Sequence, residues 1–365
     1  MSHSRQKIDR FFLISAVVLT IAGFTVFLSA SLGLLAQSGA NFGVVAAKQA
    51  VSLCIGITFF FIFSKIPYIQ LKKYALFILL GAIGVNLLLF IPQLTLHYNG
   101  ASRWLMIGTL SFQPSELLKI AFIIYIAAWA HFAKDKLSTI RFGLMPYILL
   151  VGILSALLLA QSDTDTLVII SVTGFIMLLI AGVKMRHMAI GGVLLILLVV
   201  CVVIFRPYAL QRVKTYLNIS KDTQGSSYQI NQSLIAIGSG QISGRGFGQS
   251  VQKFGYLPQP TDDSIFAVAA EEFGFIGSII LLILYLMFAA SSFRVANRAP
   301  DIFGGLLAIG IAVLIVIESF MNMAAMMGLL PLSGIPLLFV SHGGTALIMA
   351  LIMAGMVANV SKHRR

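Results

Sequence analysis

Acidic side chains are scarce in this sequence: twelve Asp and Glu stand against 25 Lys and Arg among 365 residues, and charged residues of both signs make up only 10%. With 59% hydrophobic residues, so little charge excludes a soluble globule with a solvated shell around one core. Cysteine is nearly absent. The two present, Cys54 and Cys201, lie inside apolar runs, which argues against a disulfide framework or a cysteine-based metal site. No internal repeat, low-complexity linker or separate soluble domain interrupts the chain, so residues 1–365 are expected to form one integral membrane domain.

What is abundant is apolar sequence in runs long enough to cross ~30 Å of hydrocarbon. They fall near 11–31, 44–64, 74–91, 114–131, 144–160, 166–183, 188–205, 264–289, 303–324 and 342–360. The first exceeds the ~7–15 residues of a signal-peptide core and reads as a retained span. The expected fold is an all-α polytopic membrane protein with ten transmembrane helices. Placing the N-terminus inside puts sixteen of the 25 basic residues on the cytoplasmic side, with both termini there. The net charge of +13 is then a positive-inside signature, and no nucleic-acid partner is implied. Six of the other nine cations, Arg206, Arg212, Lys214, Lys221, Arg245 and Lys253, share one large extracytoplasmic loop, 206–263, between the seventh and eighth spans. An anionic ligand on the outer face would account for that cluster.

Four of the twelve acids sit in residues 244–277, GRGFGQSVQKFGYLPQPTDDSIFAVAAEEFGFIG. Asp262 and Asp263 precede an apolar helix, either as caps or as a base able to deprotonate a hydroxyl. Glu271 and Glu272 lie within that helix, where an unpaired carboxylate is costly. Glu116 and Lys119, at i and i+3 just inside the fourth span, read as an intramembrane ion pair, structural or catalytic. Glu271, Glu272 and Glu318 are further possible partners for Lys119, and sequence does not choose among them. Asp163 and Asp165 occupy the turn QSDTDT, where a solvated turn is the simplest account. Segment 92–113, with Arg103 and Trp104, reads as a strip in the headgroup region. Residues 331–344 read as a second non-helical outer piece. The glycines at 238, 240, 244, 246 and 248 suit either an anion-binding nest or plain loop flexibility.

Three stretches carry a family resemblance: GASRWLMIGTLSFQPSELLK (100–119), QSLIAIGSGQISGRGFGQSVQKFGYLPQPTDDSIFAVAAEEFGFIG (232–277) and PLSGIPLLFVSHGG (331–344). Over nearly its whole length the chain resembles the shape, elongation, division and sporulation (SEDS) family, and QKFGYLP (252–258) is nearer its FtsW and SpoVE pattern than its RodA pattern. The resemblance implies a ten-helix peptidoglycan glycosyltransferase of the bacterial cytoplasmic membrane, serving division or elongation. Such an enzyme polymerises lipid II outside the membrane with a class B penicillin-binding protein and other divisome or elongasome membrane proteins. The family's essential aspartate aligns with Asp263 through Ile265 and Phe266. Its preceding histidine and threonine are here Thr261 and Asp262, and the following phenylalanine is Ser264. His342 stands where a tyrosine is usual, and Asp165 replaces a glycine near the aspartate matched by Asp163. Glu116 and Lys119 match unchanged.

Within that resemblance, Asp263 is the expected general base, and direct displacement with inversion is the simplest course. Arg245, Lys253 and Arg103 are expected to stabilise the departing diphosphate. Glu116, Lys119, Asp163, Asp262 and His342 complete the expected substrate site. A divalent cation, Mg or Mn, is an expected helper with no evident ligand set. The competing readings are a lipid II flippase or ion-coupled transporter, whose inverted repeats are not seen, and a scaffold of the division complex, in which no single acid matters.

Overall fold

The computed structural model describes residues 7–36, 42–98, 101–107, 110–217 and 227–363. Lys221 of the basic cluster and the terminal Arg5, Arg364 and Arg365 lie outside these. In chain order the helices are α1 (Arg10–Ser31), α2 (Phe42–Lys65), α3 (Tyr68–Lys73), α4 (Ala75–Leu87), α5 (Pro114–Phe132), α6 (Ile140–Gly143) and α7 (Met145–Ala160). They continue as α8 (Thr164–Ile180), α9 (Met185–Phe205), α10 (Pro207–Leu217), α11 (Tyr228–Ser239), α12 (Ile265–Asn297), α13 (Ile302–Met326) and α14 (Gly344–Lys362). Among the described residues eight helical stretches are long and apolar enough to span a membrane, and two shorter apolar helices, Ala75–Phe90 and Thr164–Ile180, lie among them. The protein is a mostly helical, multi-pass membrane protein.

Scarce acids are spent on starting helices. Asp9 accepts the backbone N–H groups of Phe11 and Phe12 at 3.0 and 3.2 Å, and Asp301 accepts that of Gly304 at 2.7 Å. Each satisfies donors that the first turn leaves open and meets the positive end of the helix dipole. Proline opens α5 and α10, where its missing N–H costs nothing. Burial sorts the helices: α14, α13 and α5 form the packed centre, whereas α2 and α9 turn most of their surface outward, where lipid replaces protein.

Two expectations need correcting. Segment 92–113, expected as a strip in the headgroup region, contains strands, and the fold is therefore not purely α. Strands β1 (Thr95–Tyr98), β2 (Ala101–Ile107) and β3 (Leu110–Phe112) make a three-stranded antiparallel sheet in the order β1-β2-β3. The two-residue alternation of a strand puts Arg103 and the buried Leu105 on the face toward the bundle and Met106 outward. The basic loop is not loop throughout either, because it contains α10 and α11.

Helix α12 is broken inside its run. Gly274 has φ 66° and ψ −162°, far from helical values. The backbone groups released by the break are taken up by residues 241–246: Phe275 and Ile276 donate to the carbonyls of Gln241 and Ile242 at 2.9 and 3.1 Å. In return Arg245 and Gly246 donate to the carbonyls of Glu271 and Glu272 at 3.0 and 2.9 Å. Non-helical backbone among membrane helices is tolerated only when protein supplies such partners.

Candidate catalytic site

Asp263 lies in the turn before α12, and the capping reading fails for both aspartates. Ser264 occupies the cap position, and no side chain caps the helix. Instead, three consecutive carbonyls of this turn are tied to other parts of the chain. The Thr261 carbonyl accepts the backbone N–H of His342 at 2.7 Å. The Asp262 carbonyl accepts the Ser341 hydroxyl at 2.6 Å. The Asp263 carbonyl accepts the side-chain amide of Asn322 at 2.7 Å. Asn322, on α13, donates also to the Ile335 carbonyl at 2.8 Å, so one buried amide fixes the aspartate turn to the 331–343 segment. A carboxylate held on such a frame keeps its aim, which proton transfer requires.

The Asp263 side chain is only half-buried as a residue, yet its Oδ1 has no exposed surface and no hydrogen-bond partner. Burial, reinforced by the charge of Asp262, pushes its pKa up to about 7, while a hydrogen bond from Gln229 and the charge of Arg212 draw it down. An acid lifted to that range takes a proton readily near neutrality.

Two guanidinium groups flank the same end of the bundle. Arg212 of α10 donates to both carboxylate oxygens of Asp165 at 2.9 and 2.8 Å and to the Tyr208 hydroxyl at 2.5 Å. Burial works against its charge, but Asp165 and Tyr208 more than offset that and hold it protonated. Arg103 lies 3.9 Å from Asp163 and 3.7 Å from Asp165, donates to the Ser162 carbonyl, and leaves its buried Nε unpaired. The solvated-turn account of QSDTDT is thereby overturned: Asp163 is buried and accepts the backbone N–H of Thr166 at 3.3 Å. Nothing in the sequence neighbours of Arg212 marks it among the cations of the basic loop.

Lys253 and Arg245 are placed differently from the expected anion clamp. Lys253 is fully enclosed, with its ammonium 2.6 Å from Glu272 and 3.0 Å from the Ser29 carbonyl. A buried, already paired ammonium has no free donor face for a diphosphate. Arg245 is half-exposed and lies 3.4 Å from Glu271. Glu271 accepts the Ser250 hydroxyl at 2.6 Å and the backbone N–H groups of Val251 and Gln252 at 3.1 and 3.2 Å. The two glutamates of α12 thus hold the glycine-rich loop in place.

Lys119 is paired with Glu116 at 2.8 Å, as its spacing suggested, and with Glu318 of α13 at 2.7 Å, 199 residues away. All three are buried, and Oε2 of Glu116 lacks a partner. Replacing Lys119 by Met should destabilise the protein by ~3–5 kcal/mol, since it strands two buried carboxylates. Adding Glu318→Gln to that variant should recover part of the loss. Thermal unfolding in detergent reads the cycle, and strictly additive effects would reject the coupling.

Among the described residues no three His, Cys, Asp or Glu side chains converge as a cation site. Asp262, Asp263 and His342 do not supply a ligand set for a resident Mg or Mn.

A family model described as a cell cycle protein, of the FtsW, RodA and SpoVE group, matches residues 9–365. A protein named "Probable peptidoglycan glycosyltransferase FtsW" from Geobacter sp. (strain M18) is 37% identical over 358 residues, covering 98% of this chain and 97% of that protein. Stage V sporulation protein E of Bacillus subtilis (strain 168) is 33% identical over 320 residues, 88% of this chain and 87% of that one. Among solved structures, a chain of a peptidoglycan synthase complex described as coordinating polymerization and crosslinking aligns with a TM-score of 0.80 at 25% identity, with 98% of both chains covered.

Proposed function

The chain belongs to the cell cycle protein family of FtsW, RodA and SpoVE, and from that membership and the geometry around Asp263 we propose that it is a peptidoglycan glycosyltransferase. It polymerises lipid II into glycan strands at the outer face of the bacterial cytoplasmic membrane. In this reading the eight long and two short apolar helices make ten crossings, both termini are cytoplasmic, and residues 1–365 form one membrane domain with Asp263 at its outer end.

The observation that carries the reading is Asp263: a backbone-anchored carboxylate with an unpartnered oxygen and a pKa lifted to about 7. A hydroxyl of one lipid-linked sugar attacks the anomeric carbon of another. As the new glycosidic C–O bond forms, the hydroxyl proton passes to Asp263, and the bond from the anomeric carbon to the lipid diphosphate breaks with inversion. Arg103 keeps the anion-stabilising role expected of it, and Arg212, which meets it at Asp165, takes the place of Arg245 and Lys253. Guanidinium groups suit phosphate oxygens because their donors are planar and paired. A divalent cation, where one takes part, would arrive with the diphosphate rather than be held by the chain.

The fold match to a chain of a synthase complex supports a partner, and a class B penicillin-binding protein is the one the family resemblance supplies. Purified protein, alone and with that partner, should convert lipid II to glycan strands in detergent, and Arg103→Gln/Arg212→Gln should do so with KM raised by roughly tenfold or more. Movement of lipid II across sealed vesicles without any strand formation would favour the flippase reading instead.

A further inference from the structure

The second carboxylate of the site, Asp262, has no role in the scheme above, and it stands beside the base. Its Oδ1 is 3.2 Å from Nδ1 of His342. That imidazole is not a mobile surface group. It stacks on Phe27 of α1, with centroids 5.8 Å apart and planes 18° from parallel. Its own backbone N–H is bound to the Thr261 carbonyl, and its neighbour Ser341 is bound to the Asp262 carbonyl. Three of the five positions at which the chain departs from the family pattern, 261, 262 and 342, are therefore in direct contact with one another.

We propose that His342 and Asp262 act as a positioning pair for the reaction at Asp263, in which imidazole and carboxylate hydrogen-bond one another, so that the extra acid is engaged beside the base, and join the 331–343 segment to the aspartate turn. The proposal rests on Asp263 being the base. An exposed ion pair contributes little to stability, and both side chains here are partly exposed, at 31% and 45%. The effect of this pair is local charge rather than folding. An uncompensated carboxylate next to Asp263 disfavours its ionised form and so reduces the fraction of base ready to accept a proton.

The surroundings leave the pair to itself. Helix α1 contributes Phe27 and has no charged residue beyond Arg10 at its far end. On α2, Gln49 donates to the Ser341 carbonyl at 3.2 Å, and the exposed Lys48 adjoins it. Helix α14 carries no charge before Lys362. On α12 the nearest acids, Glu271 and Glu272, are engaged with Arg245 and Lys253. Among the described residues, Arg212 of α10, whose charge reaches Asp263, and Asp263 itself are the remaining charged groups.

Polymerisation by the full-length protein with its partner tests this, through pH profiles of kcat/KM for His342→Gln, Asp262→Asn and the double variant, with Asp263→Asn alongside. His342→Gln should lower kcat/KM roughly tenfold near neutral pH and move the acid limb upward, because Asp262 stays charged and unshared. Asp262→Asn should move the acid limb downward, because the neighbouring carboxylate charge is gone. In the double variant the His342 change should then have little further effect. His342→Tyr retains a ring on Phe27 without a nitrogen to share the proton. It is measured in parallel, and it decides the matter where the Gln variant misfolds. Independent, multiplying effects with an unmoved acid limb, beside an inactive Asp263→Asn, would overturn the pair alone. Active Asp263→Asn would overturn the pair together with the reading it rests on.

Discussion

Asp263→Asn should yield a folded protein that has lost polymerisation by at least ~10²–10⁴-fold, the usual contribution of a positioned general base. Asparagine retains the size of the side chain, and the frame that holds the turn runs through the Asp263 carbonyl to Asn322 rather than through the carboxylate. Stability should therefore stay close to that of the parent. The parent's own pH profile carries the second half of the expectation. With its pKa raised to about 7 by burial, Asp263 is charged above that pH and protonated below it. Since only the charged form accepts a proton, activity should rise with pH through about 7. A group at an ordinary carboxylate pKa would instead leave activity flat down to about pH 4–5. Lipid II polymerisation at matched protein concentration, from pH 5 to 9, checks both. Turnover by Asp263→Asn at more than a tenth of the parental rate would remove this carboxylate from the mechanism.

Gly274→Ala should be severely damaging for a single added methyl group. At φ 66° and ψ −162° Gly274 occupies a region open almost only to glycine, with ~1–3 kcal/mol of strain for any other residue. The added Cβ would also lie 2.3 Å from the Gly244 nitrogen and 2.6 Å from the Ile242 carbonyl oxygen. Both neighbours are backbone and cannot swing aside. The 241–246 segment would have to leave the break in α12, exposing the carbonyls of Glu271 and Glu272 that it now satisfies. The expected result is a protein recovered in low yield and unfolding in detergent well below the parent. Gly84→Ala, on α4, where a Cβ meets nothing within 4 Å, serves as the control and should be nearly neutral. Equal thermal stability of Gly274→Ala and the parent would show that the break does not depend on this geometry.

Much of this architecture was legible in the sequence, for definite reasons. Apolar runs bounded by charge and proline mark helices because the bilayer admits little else. The observed bounds of α5, α7 and α13 fall within a few residues of those expected. The pair Asp262 and Asp263 stands out because two acids before an apolar helix exceed what one cap needs, and the family resemblance through Ile265 and Phe266 points to Asp263 within it. Pairings between distant residues carried no such mark. Nothing local distinguishes Lys119 as the partner of Glu318 rather than Glu271, or shows that Lys253 is enclosed with Glu272. Three-dimensional proximity decides both. The break in α12 was hidden because its hydrogen bonds come from a segment some thirty residues earlier. Asn322 does carry a signal: a lone amide within an apolar helix needs partners, and its partners are the aspartate turn and the 331–343 segment.

The anchoring of the aspartate turn bears on biosynthesis. A nascent chain leaves the ribosome at ~5–20 residues per second, so residue 342 follows residue 263 by about 4–16 s. Throughout that interval the turn lacks Ser341, His342 and, at first, Asn322. Its carboxylates are present, but the ties from Ser341 and His342 to the Asp262 and Thr261 carbonyls are not. Catalytic competence is therefore a property of the finished chain. A translation product halted after α13 would already carry every acid named here, reach the membrane, and still be inert.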